Sequence, residues 1–228
     1  MLIEKLVLKG GPMSANRQRV ADLLFGGQIV LGFVMVGTRI IRMMETVQGV
    51  ALCEFILIIV FALINLWLAT GANRASPSRL GRQLVFTYAF WSVLVSGSII
   101  TALANGYTWK GSDTSAIGAA VLLGIIGVFI ARVVWGHGLT DPMVRGYFAL
   151  VFKAWPQIVL AWVIATEGNR GLPLTALVVG HVTILIRITQ IWMSIRESGM
   201  DRNRRAALMS ELGNELSWVA VTISWAIA

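Results

Sequence analysis

Six side chains are chemically out of place in this chain: Gln28, Asn65, Trp91, Gln157, His181 and Trp218 all lie inside long apolar runs. Amides and an imidazole placed in hydrocarbon need hydrogen-bonding partners, so such residues usually face a protein interior or a cavity. With two indole faces added, the set suits binding of a small polar solute, planar or sugar-like. It does not suit bond breaking. Catalysis requires a nucleophile, base or metal ligands converging on one point. The only compact polar pair, His137 and Asp141 in GHGLTD, has no such company. The chain is therefore expected to be no enzyme and to carry no cofactor or metal. A retinal Schiff base is excluded too, because no Lys follows Lys153. The single Cys53, inside an apolar run, is expected to be a reduced packing residue.

The elements that must position these side chains follow from composition. The chain is 57% hydrophobic and only 13% charged, with a mean hydropathy of +0.76. That places it among polytopic membrane proteins rather than soluble domains. Seven spans are expected: Leu23 to Ile41, Gly49 to Thr70, Leu84 to Ala104, Ala116 to Trp135, Tyr147 to Thr166, Leu172 to Ile195 and Leu208 to Ala228. Most approach the ~20 residues a helix needs to cross the hydrocarbon core, and the spacers are too short to be domains. The fold expected is all-α and integral to the membrane, one domain over residues 1–228. The last span is short of apolar residues. Its uncharged part, Leu216 to Ala228, reaches only about 20 Å at 1.5 Å per residue. Glu211 and Glu215, one turn apart on one face, belong either at its wet end or on a polar cavity.

The chain also contains itself twice. GQIVLGFVMV from Gly27 to Val36 returns as PQIVLAWVIA from Pro156 to Ala165, and Trp91 heads WSVLVSGSII as Trp218 heads WVAVTISWAI. Two copies at a nearly constant offset point to a duplicated unit. Repeat one (17–104) and repeat two (145–228) each hold three spans, and the unmatched helix 116–135 lies between them. An odd linker returns the chain to its starting side, so both copies insert in the same direction. Parallel repeats of this 3+1+3 kind are a transporter architecture, with the substrate near the midplane between the halves.

Basic residues set the expected sidedness, since Lys and Arg are retained in cytoplasmic loops. The N-terminus and the second, fourth and sixth loops carry Lys5, Lys9, Arg17, Arg19, Arg74, Arg79, Arg82, Arg145, Arg196, Arg202, Arg204 and Arg205. The opposite loops carry only Arg39, Arg42, Lys110 and Arg170. The N-terminus is expected in the cytoplasm and the C-terminus outside, in the cell (inner) membrane. The net charge of +8 then needs no nucleic acid, because the anionic inner leaflet is partner enough. No cleavable signal peptide is evident, and Met13 is an alternative start to Met1.

The stretch WPQIVLAWVIATEGNRGLPL, Trp155 to Leu174, resembles the PQ-loop signature: Pro-Gln in a helix, a short Thr- and Gly-containing loop, then GLP leading into the next helix. Families with that signature include the SWEET sugar transporters and other small-solute carriers of three plus one plus three helices. The resemblance covers the second copy well. In the first, Gly27 replaces the Pro and the following loop is about seven residues longer. SWEET-like carriers are usually drawn with the N-terminus outside. The sidedness expected here is instead that of the bacterial nicotinamide riboside carriers, which look similar in architecture, although their aromatic and Asn-rich motifs are not evident in this chain.

Proline inside a helix removes a backbone hydrogen bond and leaves a soft point. Pro156, and Gly27 at the repeated position, are therefore the expected hinges, the alternative being a static kink and a close helix contact. The substrate site is expected along Gln28, Asn65, Trp91, Gln157, His181 and Trp218. Asn65 and Arg187 hold equivalent places sixteen residues beyond Gly49 and Gly171, with Glu54 and Gln190 nearby. Glu54, Asn65, His181, Arg187 and Gln190 form the richest polar set and could line one central pathway from opposite halves, the alternative for Glu54, one turn inside the outer surface, being simple solvation. Lys153 and Arg132 are expected to snorkel to the interface. The function implied is a transporter of a sugar, vitamin or amino acid working by alternating access, with self-association compatible. Hydropathy alone fits equally a non-transporting accessory or phage-type membrane protein.

Overall fold

The computed structural model describes residues 15–138 and 141–228. Lys5, Lys9 and the choice between Met1 and Met13 lie outside the described residues. Within them the chain is all-α. Seven helices succeed one another: α1 (Ala15–Glu45), α2 (Leu52–Ala75), α3 (Arg79–Ala104), α4 (Gly111–Phe129, ending in a π-helical turn Ile130–Val134), α5 (Pro142–Glu167), α6 (Leu174–Ser198) and α7 (Arg202–Ile227). All but α7 are long and apolar enough to cross a membrane. The protein thus has the membrane-spanning character its composition implies. Large apolar side chains such as Leu23, Phe33, Trp67, Val93 and Trp162 point outward, which a hydrocarbon environment tolerates and water does not.

Local chemistry sets the helix ends. Ser78 accepts from Gly81 N at 2.9 Å, Asp141 from Met143 N at 2.9 Å and Asp201 from Arg204 N at 2.8 Å, each satisfying an amide that its helix leaves free. α5 adds Pro142 in its first turn, where a missing N–H costs nothing. The start of α2 is capped from elsewhere in the chain. Its N-cap residue, Ala51, has no side-chain acceptor. Asp113 at the head of α4 accepts from Cys53 N at 3.0 Å, and Tyr107 OH accepts from Leu52 N at 3.3 Å while donating to Asp113 at 2.7 Å. Burial, and then the bond to Asp113, push the Tyr107 hydroxyl pKa above its ordinary value.

Packing is reciprocal. α3 lies against both α1 and α2, and α7 lies against both α5 and α6; across the middle, α1 meets α6 and α2 meets α5. α4 packs on α5 and on the start of α2. The turns after α1 and α5 also meet at one end of the bundle. Gly49 (φ 75°) sits so close to the Gly168 carbonyl that a Cβ there would collide with it. Arg42 Nε donates to Arg170 O at 2.7 Å, and Lys110 pairs with Glu167 at 2.5 Å, so the three turns after α1, α3 and α5 share that end.

For the last helix the structure takes the cavity alternative. α7 is continuous for 26 residues, about 39 Å at 1.5 Å per residue. Its two carboxylates are not at a wet end: Glu211 is buried on a cavity and Glu215 is held by His181. α1 likewise runs past Ile41, so Arg39 is a buried helix residue rather than a loop charge.

Candidate solute-binding cavity

Between the two helix triplets lies a cavity of about 520 Å³. Helical periodicity brings its polar residues onto it in short stripes. α1 contributes Gln28 and Arg39, three turns apart, α5 contributes Lys153 and Gln157, α6 contributes Arg187 and Gln190, and α7 contributes Glu211, Asn214 and Trp218. α2 supplies Glu54 and Phe61, and α3 supplies Thr87, Tyr88 and Trp91. Among the described residues, α4 supplies none.

Four of the six expected site residues meet here: Gln28, Trp91, Gln157 and Trp218. The two glutamines each bridge helices. Gln28 Nε2 donates to Gln190 Oε1 at 2.7 Å, tying α1 to α6. Gln157 Nε2 donates to Asn214 Oδ1 at 2.9 Å and its carbonyl accepts from Ser217 Oγ at 2.5 Å, tying α5 to α7. Trp91 is half-buried and its Cζ2 would lie 3.2 Å from a Cβ on Gly32. Trp218 is buried, packs on Gly180 and donates to Leu177 O at 3.0 Å. The glycines are small here because an indole occupies the space a methyl would need.

Asn65 and His181 are not on the cavity wall. Asn65 turns back to donate to Phe61 O of its own helix at 2.8 Å. His181 lies between α6 and α7, with Nδ1 2.6 Å from Glu215 Oε1 and Nε2 2.7 Å from Thr222 Oγ1. Its ring meets Trp218 edge-on at 6.3 Å, so it backs the cavity wall without lining it. Of the expected hinges, Pro156 is fully buried inside an unbroken α5. Gly27 has open space where a Cβ would stand, and so does Gly26, so neither is a close helix contact.

The charges on the cavity differ most from the sequence reading. Glu54 is not solvated. It is buried and forms a bidentate ion pair with Arg39, both N–O distances 2.8 Å, with the guanidinium stacked over Phe55 at 4.6 Å. Lys153 does not snorkel outward but pairs with Glu211 across the cavity wall, with Phe61 beneath its ammonium. Arg187 reaches the same carboxylate at only 4.0 Å. Arg39 stands six residues from the end of α1 and Lys153 fourteen from the end of α5, about 9 and 21 Å from the same end of the bundle. The two charge groups therefore occupy different levels of one cavity. Arg39 was legible in principle, since it falls on the face of Gln28; its nearness to an assumed span end concealed it. The partnership of Lys153 with Glu211, 58 residues apart, leaves no local signal.

Comparison with protein-family models, with curated proteins and with solved structures returns no match.

Proposed function

We propose that the protein is a small-solute transporter of the membrane, built as two parallel three-helix repeats with α4 as linker, whose substrate binds in the central cavity. The observation that carries this reading is the cavity itself: it is walled by all six helices of the two triplets and, among the described residues, by none of the linker. The packing supports the duplication. In each triplet the third helix lies between the first and second, and the contacts between triplets are first to second in both directions. Exchange of the halves preserves that pattern, as a two-fold axis along the membrane normal would. The repeated glutamines follow it in part, each bonding a helix that faces the cavity.

A site of this kind needs a cavity of a few hundred Å³, mostly apolar, with a few polar groups to orient the ligand. Gln28, Gln157, Trp91 and Trp218 supply these groups, with the membrane-embedded charges beside them. Gln28–Gln190 and Arg39–Glu54 lie toward opposite ends of the bundle. Breaking one while the other holds is the minimal alternation that exposes the site to one side at a time. The resemblance to PQ-loop carriers around Pro156 and Gln157 agrees with this reading.

Uptake into liposomes holding the purified protein tests it. The expected result is saturable accumulation of a labelled small solute from a panel of organic acids, sugars, vitamins and amino acids, weakened by Trp91→Ala or Trp218→Ala. A protein that admits no solute in either orientation is instead a non-transporting accessory membrane protein.

A further inference from the structure

We propose that the solute is an organic monoanion, a carboxylate on a largely apolar body, and that Arg187 is its anchor. This rests on the transporter reading of the central cavity. Among the described residues, five charged side chains face that cavity: Arg39, Lys153 and Arg187 against Glu54 and Glu211. Three cations against two carboxylates leave one positive charge in excess. The geometry identifies which cation that is. Arg39 and Glu54 satisfy each other with two charge-assisted bonds. Glu211 gives one oxygen to Lys153, while its other oxygen is buried without a hydrogen-bond partner among the described residues. Arg187 stands 4.0 Å from the oxygen that Lys153 holds, at ion-pair range but without a hydrogen bond. Among the described residues none accepts a hydrogen bond from the Arg187 guanidinium.

Three cations sharing two carboxylates leave one positive charge uncompensated, which is unfavourable in a low-dielectric interior, and Arg187 is the cation whose donors no hydrogen bond uses among the described residues. Its planar fork of donors matches a carboxylate in bidentate fashion. A solute carboxylate would complete the set and bring the cavity charge to zero, which a dianion would overshoot and a sugar would leave uncompensated. Trp91 and Trp218, on the same cavity, offer apolar faces to the rest of the molecule.

The test is charge-selective labelling of a thiol inside the cavity. Cys53 is buried and is replaced by Ala; Thr87→Cys then places one thiol on the cavity wall. Rates of modification by an anionic and a cationic methanethiosulfonate of similar size, each normalised to its rate with free cysteine, are compared on the full-length protein in detergent. The expected ratio favours the anionic reagent by about tenfold or more, because one uncompensated positive charge in a low-dielectric cavity attracts the one reagent and repels the other. Arg187→Gln should bring it near one, and Arg187→Lys should preserve it. A ratio at or below one with Arg187 in place overturns the proposal, even if Arg187→Gln does not fold, and so does a ratio that Arg187→Gln leaves unchanged. In both cases the cavity would remain a solute site for a neutral or cationic ligand. If neither reagent modifies the introduced thiol until the protein is denatured, solutes do not reach the cavity, and the transporter reading fails along with this one.

Discussion

Two residue pairs show how much depends on partners that sequence distance hides. Arg39 and Glu54 are both buried, and each is tolerable only because of the other. Removing one leaves an uncompensated charge. Arg39→Ala should therefore destabilise the protein by about 3–5 kcal/mol, while the double replacement Arg39→Met, Glu54→Met should recover most of it. Thermal unfolding in detergent reads both, and equal losses for single and double variants would show that the orphaned Glu54 charge is not the cause of the loss. In the second pair Tyr107, in the turn outside the spans, donates to Asp113 at the head of α4, and Asp113 caps α2. The folded-state pKa of Tyr107 is raised above its ordinary value, so its contribution is fully present below about pH 10, the unfolded value, and is lost as pH rises toward the folded value. Stability of the wild type should fall more steeply above about pH 10 than that of Tyr107→Phe. Parallel pH profiles for the two proteins would contradict the assignment.

At the scale of elements, the helices are set by long apolar runs and their ends by short-range chemistry, but their mechanical properties come from single residues. Pro156 denies α5 one backbone bond in the middle of its length, and Gly27 leaves α1 without a side chain where nothing else fills the space. If these are static features, Gly27→Ala should raise stability by about 0.5–1 kcal/mol through helix propensity and leave transport unchanged. The expectation from the hinge role differs. Gly27→Ala and Pro156→Ala should each slow uptake while binding of the same solute is retained, as comparison of uptake rate with equilibrium binding would show. Gly180→Ala should act otherwise: a methyl there would strike the Trp218 ring, so binding itself should weaken.

For the whole molecule, the distribution of basic side chains predicts which end of the bundle faces the cytoplasm. The turns after α1, α3 and α5 share one end, where the basic side chains include Arg42, Lys110 and Arg170; Arg39 no longer counts among them. The opposite end carries Arg74, Arg79, Arg82, Arg145, Arg202 and Arg204 among others, close to the helix ends. By the retention of basic loops in the cytoplasm, a reporter fused after Ala228 should behave as extracytoplasmic and one inserted between Arg74 and Arg82 as cytoplasmic. The reverse labelling would give the protein the orientation usual for SWEET-like carriers.

The sequence by itself determined the solvent, the number of helices and the polar residues worth watching, because hydropathy, caps and helical period are local properties. It also singled out Gln28, Gln157, Trp91 and Trp218 together through the internal echo, and these four line one cavity. Tertiary structure alone decided the charges. Lys153 found Glu211, Arg39 found Glu54, and His181 turned to Glu215 instead of the cavity. An ion in hydrocarbon is governed by the nearest opposite charge, and that neighbour is chosen by helix packing between segments far apart in the chain, where periodicity has no reach.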